Sequence, residues 1–187
     1  MKREILDKNI LKNFAINFCK IVEKYTEYII VSGFVAIVSG RVRGTEDIDL
    51  FIKLIPKENF LELHRDLVEN DFECMQSNDP EVIYNSYLKE NLSVRYTYND
   101  MPLPEMEVKF PADELDVYQF KIKTKLPKTG LDLWFSSINM NIAFKEEYLK
   151  SEKDIEDAVY LRKFYQDLIN ENEINKFKQM IRNYKLK

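Results

Sequence analysis

The sequence has 187 residues, of which 45% are hydrophobic and 13% aromatic, with only four glycines and six prolines. This composition excludes a disordered or repetitive chain and predicts one compact domain, or a domain with a helical annex. The formal net charge of -4 argues against a protein that coats nucleic acid through bulk electrostatics, although it is compatible with a local basic groove.

Three features of the sequence bear on location. Residues 1–10, MKREILDKNI, carry scattered charges and do not resemble a signal peptide. The longest apolar run, residues 28–38, is about half the length that spans a bilayer. Cys19 and Cys74 show neither disulfide nor metal-site spacing. We therefore expect a cytoplasmic protein that has no membrane partner and keeps both cysteines as buried free thiols.

Hydrophobic periodicity predicts alternating helices and strands in the first half of the chain. Apolar residues three and four positions apart mark the helices, and short apolar or alternating runs mark the strands. The predicted elements are a helix over 3–24, a strand over 27–32, a short helix over 34–39 that closes at Gly40, a polar loop over 41–46, a strand that begins at Asp47 and ends before Pro56, a helix over 57–70, a short strand over 71–76, and a helix over 80–90 that begins after Asp79.

The second half of the chain adds strands and then becomes helical. Residues 113–128 are ambiguous between a helical turn and a strand. The other predicted elements are strands over 92–98 and 106–110, separated by MPLP as a hairpin, a strand over 131–136, and about three helices from Ser137 onwards. Together the elements predict an α+β fold with a mixed β-sheet flanked by helices, divided into an α/β core over 1–136 and a C-terminal helical segment over 137–187 that packs on it.

Two carboxylates stand on an otherwise apolar strand. Strand side chains alternate between faces, so Asp47 and Asp49 share one face. Two like charges on one sheet face repel, and burying them is costly unless something neutralises them. Mg²⁺ does so, since it binds through one or two carboxylates together with substrate phosphates. The commoner alternative for an isolated Asp-x-Asp is that one aspartate caps a loop and the other meets an arginine.

The residues before this strand favour the metal and phosphate interpretation. Gly33 lies 14 residues before Asp47, at a strand-to-helix junction where a bare backbone lets phosphate oxygens approach a helix N-terminus. Arg41, Arg43 and Thr45 then line the approach to the carboxylates.

The stretch VSGFVAIVSGRVRGTEDIDL, residues 31–50, resembles the signature of the DNA polymerase beta-like nucleotidyltransferase superfamily. That signature is a strand, a Gly-Gly or Gly-Ser turn, a short helix, an R-x-R-x-T-type loop, and D-I-D-L on the next strand. Ser32 stands where the superfamily usually has its first glycine. The resemblance implies a nucleotidyltransferase-like sheet, an NTP substrate with phosphates over Ser32 and Gly33, and Mg²⁺ or Mn²⁺ held by Asp47 and Asp49.

A second stretch, residues 138–165, is similar to the helix pair that follows the catalytic sheet in the small toxin-like and abortive-infection branch of this superfamily. The resemblance implies that Lys145 faces the nucleotide phosphates and that Asp154 and Asp157 lie near the site. The alternative is a solvated helix start whose carboxylates are favoured by the helix dipole. This branch also implies a cognate antitoxin-like partner.

The superfamily usually has a third carboxylate on a neighbouring strand. Glu107, with Glu105 and Lys109 on the same face, is the first candidate to complete the catalytic and metal-binding set. Asp132 is the second candidate.

These resemblances imply transfer of a nucleoside monophosphate from an NTP to a hydroxyl acceptor, with release of pyrophosphate. Arg43 and Lys145 would counter the phosphate charge. The acceptor stays open among an RNA or tRNA end, a protein and a small molecule. The alternative function is a non-catalytic nucleotide-binding or toxin-antitoxin-like interaction module on the same fold. An RNA acceptor would need a basic track, for which the candidates are Lys121, Lys123, Lys125, Lys128, Lys176, Lys178, Arg182 and Lys185.

Other catalytic patterns are excluded. The single histidine, His64, lies within a helical pattern, where we expect it at the surface or half-buried; a histidine-dependent triad or a zinc site is excluded. The sequence contains no G-x-x-x-x-G-K-[ST] motif, so it is not a P-loop protein.

Overall fold

The computed structural model of the protein describes residues 8–45 and 47–186. The predicted N-terminal helix therefore falls partly outside the described residues, as does Glu46 of the predicted loop. The helices are α1 (Lys8–Val22), α2 (Gly33–Val38), α3 (Lys57–Glu69), α4 (Pro80–Val82, extended by a π-helical turn at Ile83–Tyr87 and a 3₁₀ turn at Leu88–Glu90), α5 (Glu114–Lys121), α6 (Ile138–Phe144, extended by a π-helical turn at Lys145–Leu149), α7 (Glu152–Phe164) and α8 (Glu171–Lys185). The strands are β1 (Tyr28–Val31), β2 (Asp47–Ile52), β3 (Phe72–Cys74), β4 (Val94–Tyr98) and β5 (Met101–Lys109).

The five strands form one mixed sheet in the order β1-β2-β5-β4-β3. β2 and β5 are parallel, and the other neighbouring strands are antiparallel. Ile48, Leu50 and Ile52 are fully buried on one face of β2, and strand alternation therefore assigns Asp47 and Asp49 to the opposite face. The predicted α+β fold, a mixed sheet flanked by helices, is confirmed.

Side-chain caps determine where several helices begin. The side chains of Asp79, Asp113, Ser137, Ser151 and Asn170 each accept a hydrogen bond from a backbone N–H in the first turn of the helix that follows. Such caps satisfy N–H groups that have no partner within the helix. The last three of these residues start α6, α7 and α8, which confirms the three C-terminal helices.

Two predicted boundaries are wrong. MPLP does not separate two strands, because β5 begins at Met101 and includes it. The two prolines lack N–H donors, and the Thr97 hydroxyl compensates by donating to the carbonyls of Met101 and Pro104. Residues 131–136 do not form a strand either. They run along the edge of β1, where Phe135 makes an isolated bridge to Ile30. On its other side, Phe135 makes a second isolated bridge to Thr124, which follows α5.

The remaining ambiguities are resolved. Residues 113–128 contain the helix α5 and no named strand.

Cys19 and Cys74 are buried and form no disulfide. His64 is buried, contrary to expectation, and its Nδ1 lies 2.8 Å from the Tyr96 hydroxyl. Among the described residues, no helix combines the length and apolarity needed to cross a membrane.

Candidate active site

Four carboxylates meet where the parallel strands β2 and β5 lie side by side. Asp47 pairs in register with Glu105, and Asp49 pairs with Glu107. Since these positions alternate along each strand, all four belong to one face of the sheet. Arg95 on β4 lies 3.1 Å from Glu105 and 3.0 Å from Glu107. The two glutamates therefore share a guanidinium.

Asp49 carries the least compensated of these charges. Burial, and then the nearby Asp47 and Glu107, raise the pKa of the Asp49 carboxyl to about 6. A hydrogen bond from the Ser32 hydroxyl and the charge of Lys109 act in the opposite direction. An added cation at this position would relieve the repulsion.

Asp47 and Asp49, as a pair, are suitable ligands for Mg²⁺. Asp47 and Asp49 offer hard oxygen ligands, and Mg²⁺ commonly takes one or two carboxylates plus substrate phosphates. The Thr45 hydroxyl donates to Asp47 Oδ1 at 2.8 Å, which orients that carboxylate. Within residues 8–45 and 47–186, no three His, Cys, Asp or Glu side chains are grouped closely enough to hold a metal ion. A metal-binding role for Glu107 therefore stays a prediction.

The two candidates for the third carboxylate lie in different places. Glu107 is the register partner of Asp49. Asp132 has a side chain that is 97% exposed and pairs with Lys125 at 2.8 Å. The structure therefore brings Glu107, and not Asp132, beside the aspartate pair.

A buried carboxylate gathers three basic side chains on the other side of the site. Asp157, on α7, has no exposed side-chain surface and accepts hydrogen bonds from Arg41, Arg43 and Lys145, the last at 2.8 Å. We call these four residues the Asp157 cluster. Asp154 lies at its edge, 3.4 Å from Lys145 Nζ. A solvated helix start is therefore the wrong interpretation of Asp157.

Burial disfavours the charged forms of two cations in the Asp157 cluster. Burial, and then the charge of Arg41, lower the pKa of Arg43, and its Nε is buried without a hydrogen-bond partner among the described residues. Burial is also the main cause that lowers the pKa of Lys145 to about 8, with Asp154 opposing it and Arg43 adding to it. A further anion, such as a phosphate, would be bound favourably here.

The turn between β1 and α2 has a strained backbone at Ser32, and the Arg43 side chain packs against it at Gly33. Ser32 has φ 64° and ψ -134°, a backbone conformation that favours glycine. At Gly33, an added Cβ would lie 2.9 Å from Arg43 Nη2. The guanidinium of Arg43 thus occupies the space beside Gly33 in which the sequence predicted a phosphate, and both residues keep a nucleotide-binding role only as a prediction.

A cavity of about 200 Å³ opens beside Asp49, and we call it the Asp49 cavity. Ser32 and Lys145 line one part of it. The rest includes Lys185 of α8, a candidate for the basic track, and side chains that the sequence did not identify because their elements meet only in the folded chain: Asp116 and Gln119 of α5, Asn141 and Phe144 of α6, and Tyr148.

The predicted basic track is largely neutralised by acidic partners. Six of its eight candidates form ion pairs: Lys123 with Glu27, Lys125 with Asp132, Lys128 with Asp167, Lys178 with Glu146, Arg182 with Glu147, and Lys185 with Asp113 and Asp116. These contacts lower the net positive potential that an RNA strand would meet.

We expect the replacement Asp157→Asn to destabilise the protein by about 3–5 kcal/mol, because it removes the buried counter-charge that three partly or fully buried cations share. The free energy of unfolding in urea measures this. Glu156→Gln is the matched control, since Glu156 lies on the same helix and pairs with Arg41 but is 58% exposed; its effect should stay below about 1 kcal/mol. Equal effects of the two replacements would contradict the assigned role of Asp157.

The backbone strain at Ser32 gives a second prediction. Ser32→Gly and Ser32→Ala both remove the hydroxyl that bonds Asp49, but only glycine accepts the positive φ without strain. We expect the glycine variant to be more stable than the alanine variant by about 1 kcal/mol, the strain relief being partly offset by chain entropy. Urea unfolding of both variants measures the difference, and an alanine variant at least as stable as the glycine variant would be inconsistent with strain at this position.

The raised pKa of Asp49 predicts a pH-dependent gain in stability on Asp49→Asn. The pKa of the native carboxyl, about 6, lies above its ordinary value of 3.8. Between these values the native state keeps a proton that the unfolded state loses, so this group lowers stability as pH rises towards 6. In metal-free buffer, we expect Asp49→Asn to be near neutral at pH 4 and stabilising by about 2–3 kcal/mol at pH 8.

Thermal or urea unfolding at the two pH values tests this, with the exposed Asp132→Asn as the control. A gain that is the same at pH 4 and pH 8 would show that the effect does not come from titration of Asp49.

Comparison with known proteins supports the fold. No protein-family model matches the sequence, and no curated protein sequence matches it significantly. Two solved structures are similar along nearly the whole chain. One is an antigenic nucleotidyltransferase-like protein from Paracoccidioides brasiliensis, with a TM-score of 0.55, 18% identity, and coverage of 96% of this chain and 88% of that chain. The other is the antibiotic-resistance factor ANT(2'')-Ia, with a TM-score of 0.52, 13% identity, and coverage of 92% and 93%. The chain thus has a nucleotidyltransferase-like fold.

Proposed function

We propose that this protein is a metal-dependent nucleotidyltransferase that transfers a nucleoside monophosphate from an NTP to a hydroxyl acceptor. The observation that carries the proposal is the juxtaposition of opposite charges. The carboxylate pair Asp47 and Asp49 interacts electrostatically with Arg43, and Asp49 also with Lys145. One side of the site suits a cation and the other suits an anion, which is what a metal-bound triphosphate requires.

The proposed roles follow from this arrangement. Asp47 and Asp49 would hold Mg²⁺ or Mn²⁺, which when bound stabilises negative charge on the phosphates and favours ionisation of the attacking hydroxyl. Arg43 and Lys145 bind and orient the phosphates, and Asp157 keeps both cations in place. Ser32 orients Asp49, and Thr45 orients Asp47.

The transfer step is a displacement at the α-phosphorus. The acceptor hydroxyl oxygen forms a bond to this phosphorus, the bond from it to the bridging oxygen of the β-phosphate breaks, and pyrophosphate leaves. The hydroxyl proton is released to solvent. The leaving pyrophosphate gains negative charge, which Arg43 and Lys145 would stabilise by charge-assisted hydrogen bonds.

For the acceptor, we propose a small molecule or a protein hydroxyl in preference to an RNA end. The ion pairs along the predicted basic track support this, because an RNA strand would have to compete with acidic partners at most of its contacts. An antitoxin-like partner belongs to the alternative proposal, a non-catalytic nucleotide-binding or interaction module on the same fold. The intact aspartate pair favours catalysis over that alternative.

The test is incubation with each NTP, labelled at the α-phosphate, in the presence of Mg²⁺ or Mn²⁺ and separate pools of RNA, protein and small molecules. We expect label to enter the small-molecule or protein pool with stoichiometric pyrophosphate. We expect Asp47→Ala and Asp49→Ala each to lower transfer by at least 100-fold, because each removes a proposed metal ligand. Asp132→Ala, which removes an exposed carboxylate, should keep full transfer.

Two results would count against the proposal. NTP binding without transfer to any pool and without pyrophosphate release would favour the non-catalytic module. Transfer that survives both aspartate replacements would separate the activity from this site.

A further inference from the structure

We propose that the Asp49 cavity binds the base of the nucleotide and that Asp116 selects bases with an exocyclic amino group beside a ring-nitrogen acceptor, as in adenine and cytosine. The inference rests on the proposed function and extends it to the choice of NTP. It depends on the position of the cavity, on its walls, and on the polar atoms that line it.

The position of the cavity associates it with the nucleotide. Its lining includes Ser32, Asp49 and Lys145, which belong to the proposed metal and phosphate site. Among the residues that the structure describes, Asp47 and Glu107 do not line it. The cavity therefore adjoins the proposed triphosphate side of the site and does not include Glu107, the first candidate for the third carboxylate.

The size and the walls suit a single planar ring system. A volume of about 200 Å³ is below the roughly 300–1,000 Å³ of ordinary small-molecule pockets, so it matches one ring system better than a whole nucleotide. Phe51, Phe144 and Leu149 contribute apolar surface, and the Phe144 and Tyr148 rings meet edge to face with centroids 6.2 Å apart. Aromatic and aliphatic side chains of this kind stack favourably on nucleobases.

Asp116 is the strongest hydrogen-bond acceptor in the lining that stands apart from the metal site. Its side chain is 3% exposed, and its Oδ2 accepts from the Ala112 N–H at 3.0 Å. Its Oδ1 lies 3.0 Å from Lys185 Nζ but is buried without a properly directed hydrogen bond among the described residues. An ionised carboxylate only accepts, so a ligand that satisfies it must donate a hydrogen.

Two amides complete a pattern of donors and acceptors. Gln119 Oε1 accepts from Ser136 Oγ at 2.8 Å, and Asn141 Nδ2 donates to the carbonyls of Ser136 and Ser137. The remaining polar atoms of these two cavity-lining amides are Gln119 Nε2, a donor, and Asn141 Oδ1, an acceptor. The lining therefore includes a donor as well as acceptors, the combination that pairs with the amino group and the adjacent ring nitrogen of adenine or cytosine.

The test compares pairs of triphosphates that differ only in the amino group, using titration calorimetry on the full chain with Mg²⁺. The pairs are ATP with purine riboside triphosphate, and CTP with its 4-deamino analogue; inorganic tripolyphosphate reports on the phosphate site alone. We expect the aminated member of at least one pair to bind about tenfold tighter or more, since a hydrogen bond to a charged group is lost in the other member. The pair that shows the difference identifies the base.

Asp116→Asn should reduce that ratio at least threefold and leave the affinity for tripolyphosphate unchanged. Asp113→Asn is the matched control, because Asp113 stands at the same helix end and pairs with the same Lys185, at 2.7 Å, but does not line the cavity. Its ratio should equal that of the wild type. Thermal unfolding verifies that both variants fold. Gln119→Leu is a second variant, expected to weaken ATP or CTP binding while tripolyphosphate binding persists.

The failures are distinguishable. If tripolyphosphate binds but neither pair shows a preference, or the preference survives both Asp116→Asn and Gln119→Leu, the assignment of the cavity is wrong while the proposed function stands. If neither the nucleotides nor tripolyphosphate bind, the proposed function fails and this inference fails with it.

Discussion

The ion pairs of Asp157 are the interaction on which the geometry of the candidate site depends. A carboxylate with no solvent contact is tolerated only because Arg41, Arg43 and Lys145 surround it. The two arginines come from the loop after α2, and the lysine lies at the end of α6. One helix, α7, therefore fixes the relative positions of two distant segments, and through Arg43 it also determines what lies against Gly33.

The two halves of the site have opposite electrostatic deficits. Burial and then the neighbouring carboxylates raise the pKa of Asp49 to about 6, whereas burial lowers the pKa of Lys145 to about 8. In each half, repulsion between neighbouring like charges disfavours the charged form of these groups. Perturbed groups of this kind concentrate at functional sites, and here the perturbation on one side is complementary to that on the other.

Local rules predict the parts of this site that depend only on neighbouring residues. Strand alternation is sufficient to put Asp47 and Asp49 on one face, and residues that favour N-caps mark the starts of the C-terminal helices. The start of β5 was predicted too late because prolines usually end strands; here the Thr97 hydroxyl ties two carbonyls of the proline segment, those of Met101 and Pro104, to β4. Residues 131–136 look like a strand because they are apolar and extended, yet their bridges involve only Phe135.

The contacts between distant elements could not be obtained in this way. Asp157 is buried because α7 packs beside the loop after α2. The charged residues next to Asp157 in the sequence indicate a solvated helix face and do not predict this packing. The register that puts Glu107 beside Asp49 depends on a parallel pairing across a long crossover, and the superfamily resemblance supplied that candidate where residue patterns alone did not. The cavity residues Asp116 and Gln119 carry no motif.

The composition of the Asp49 cavity links ligand binding to the order in which the protein folds. Its walls come from the end of β1 and the turn after it, and from β2, β5, α5, α6 and α8; Lys185 lies at the end of the last of these. Contacts between segments so distant in sequence carry a large loop-closure cost, which slows folding. A chain still emerging from the ribosome thus has its aspartate pair long before the cavity can exist, and a ligand bound in the cavity would in turn hold the last helix against local opening.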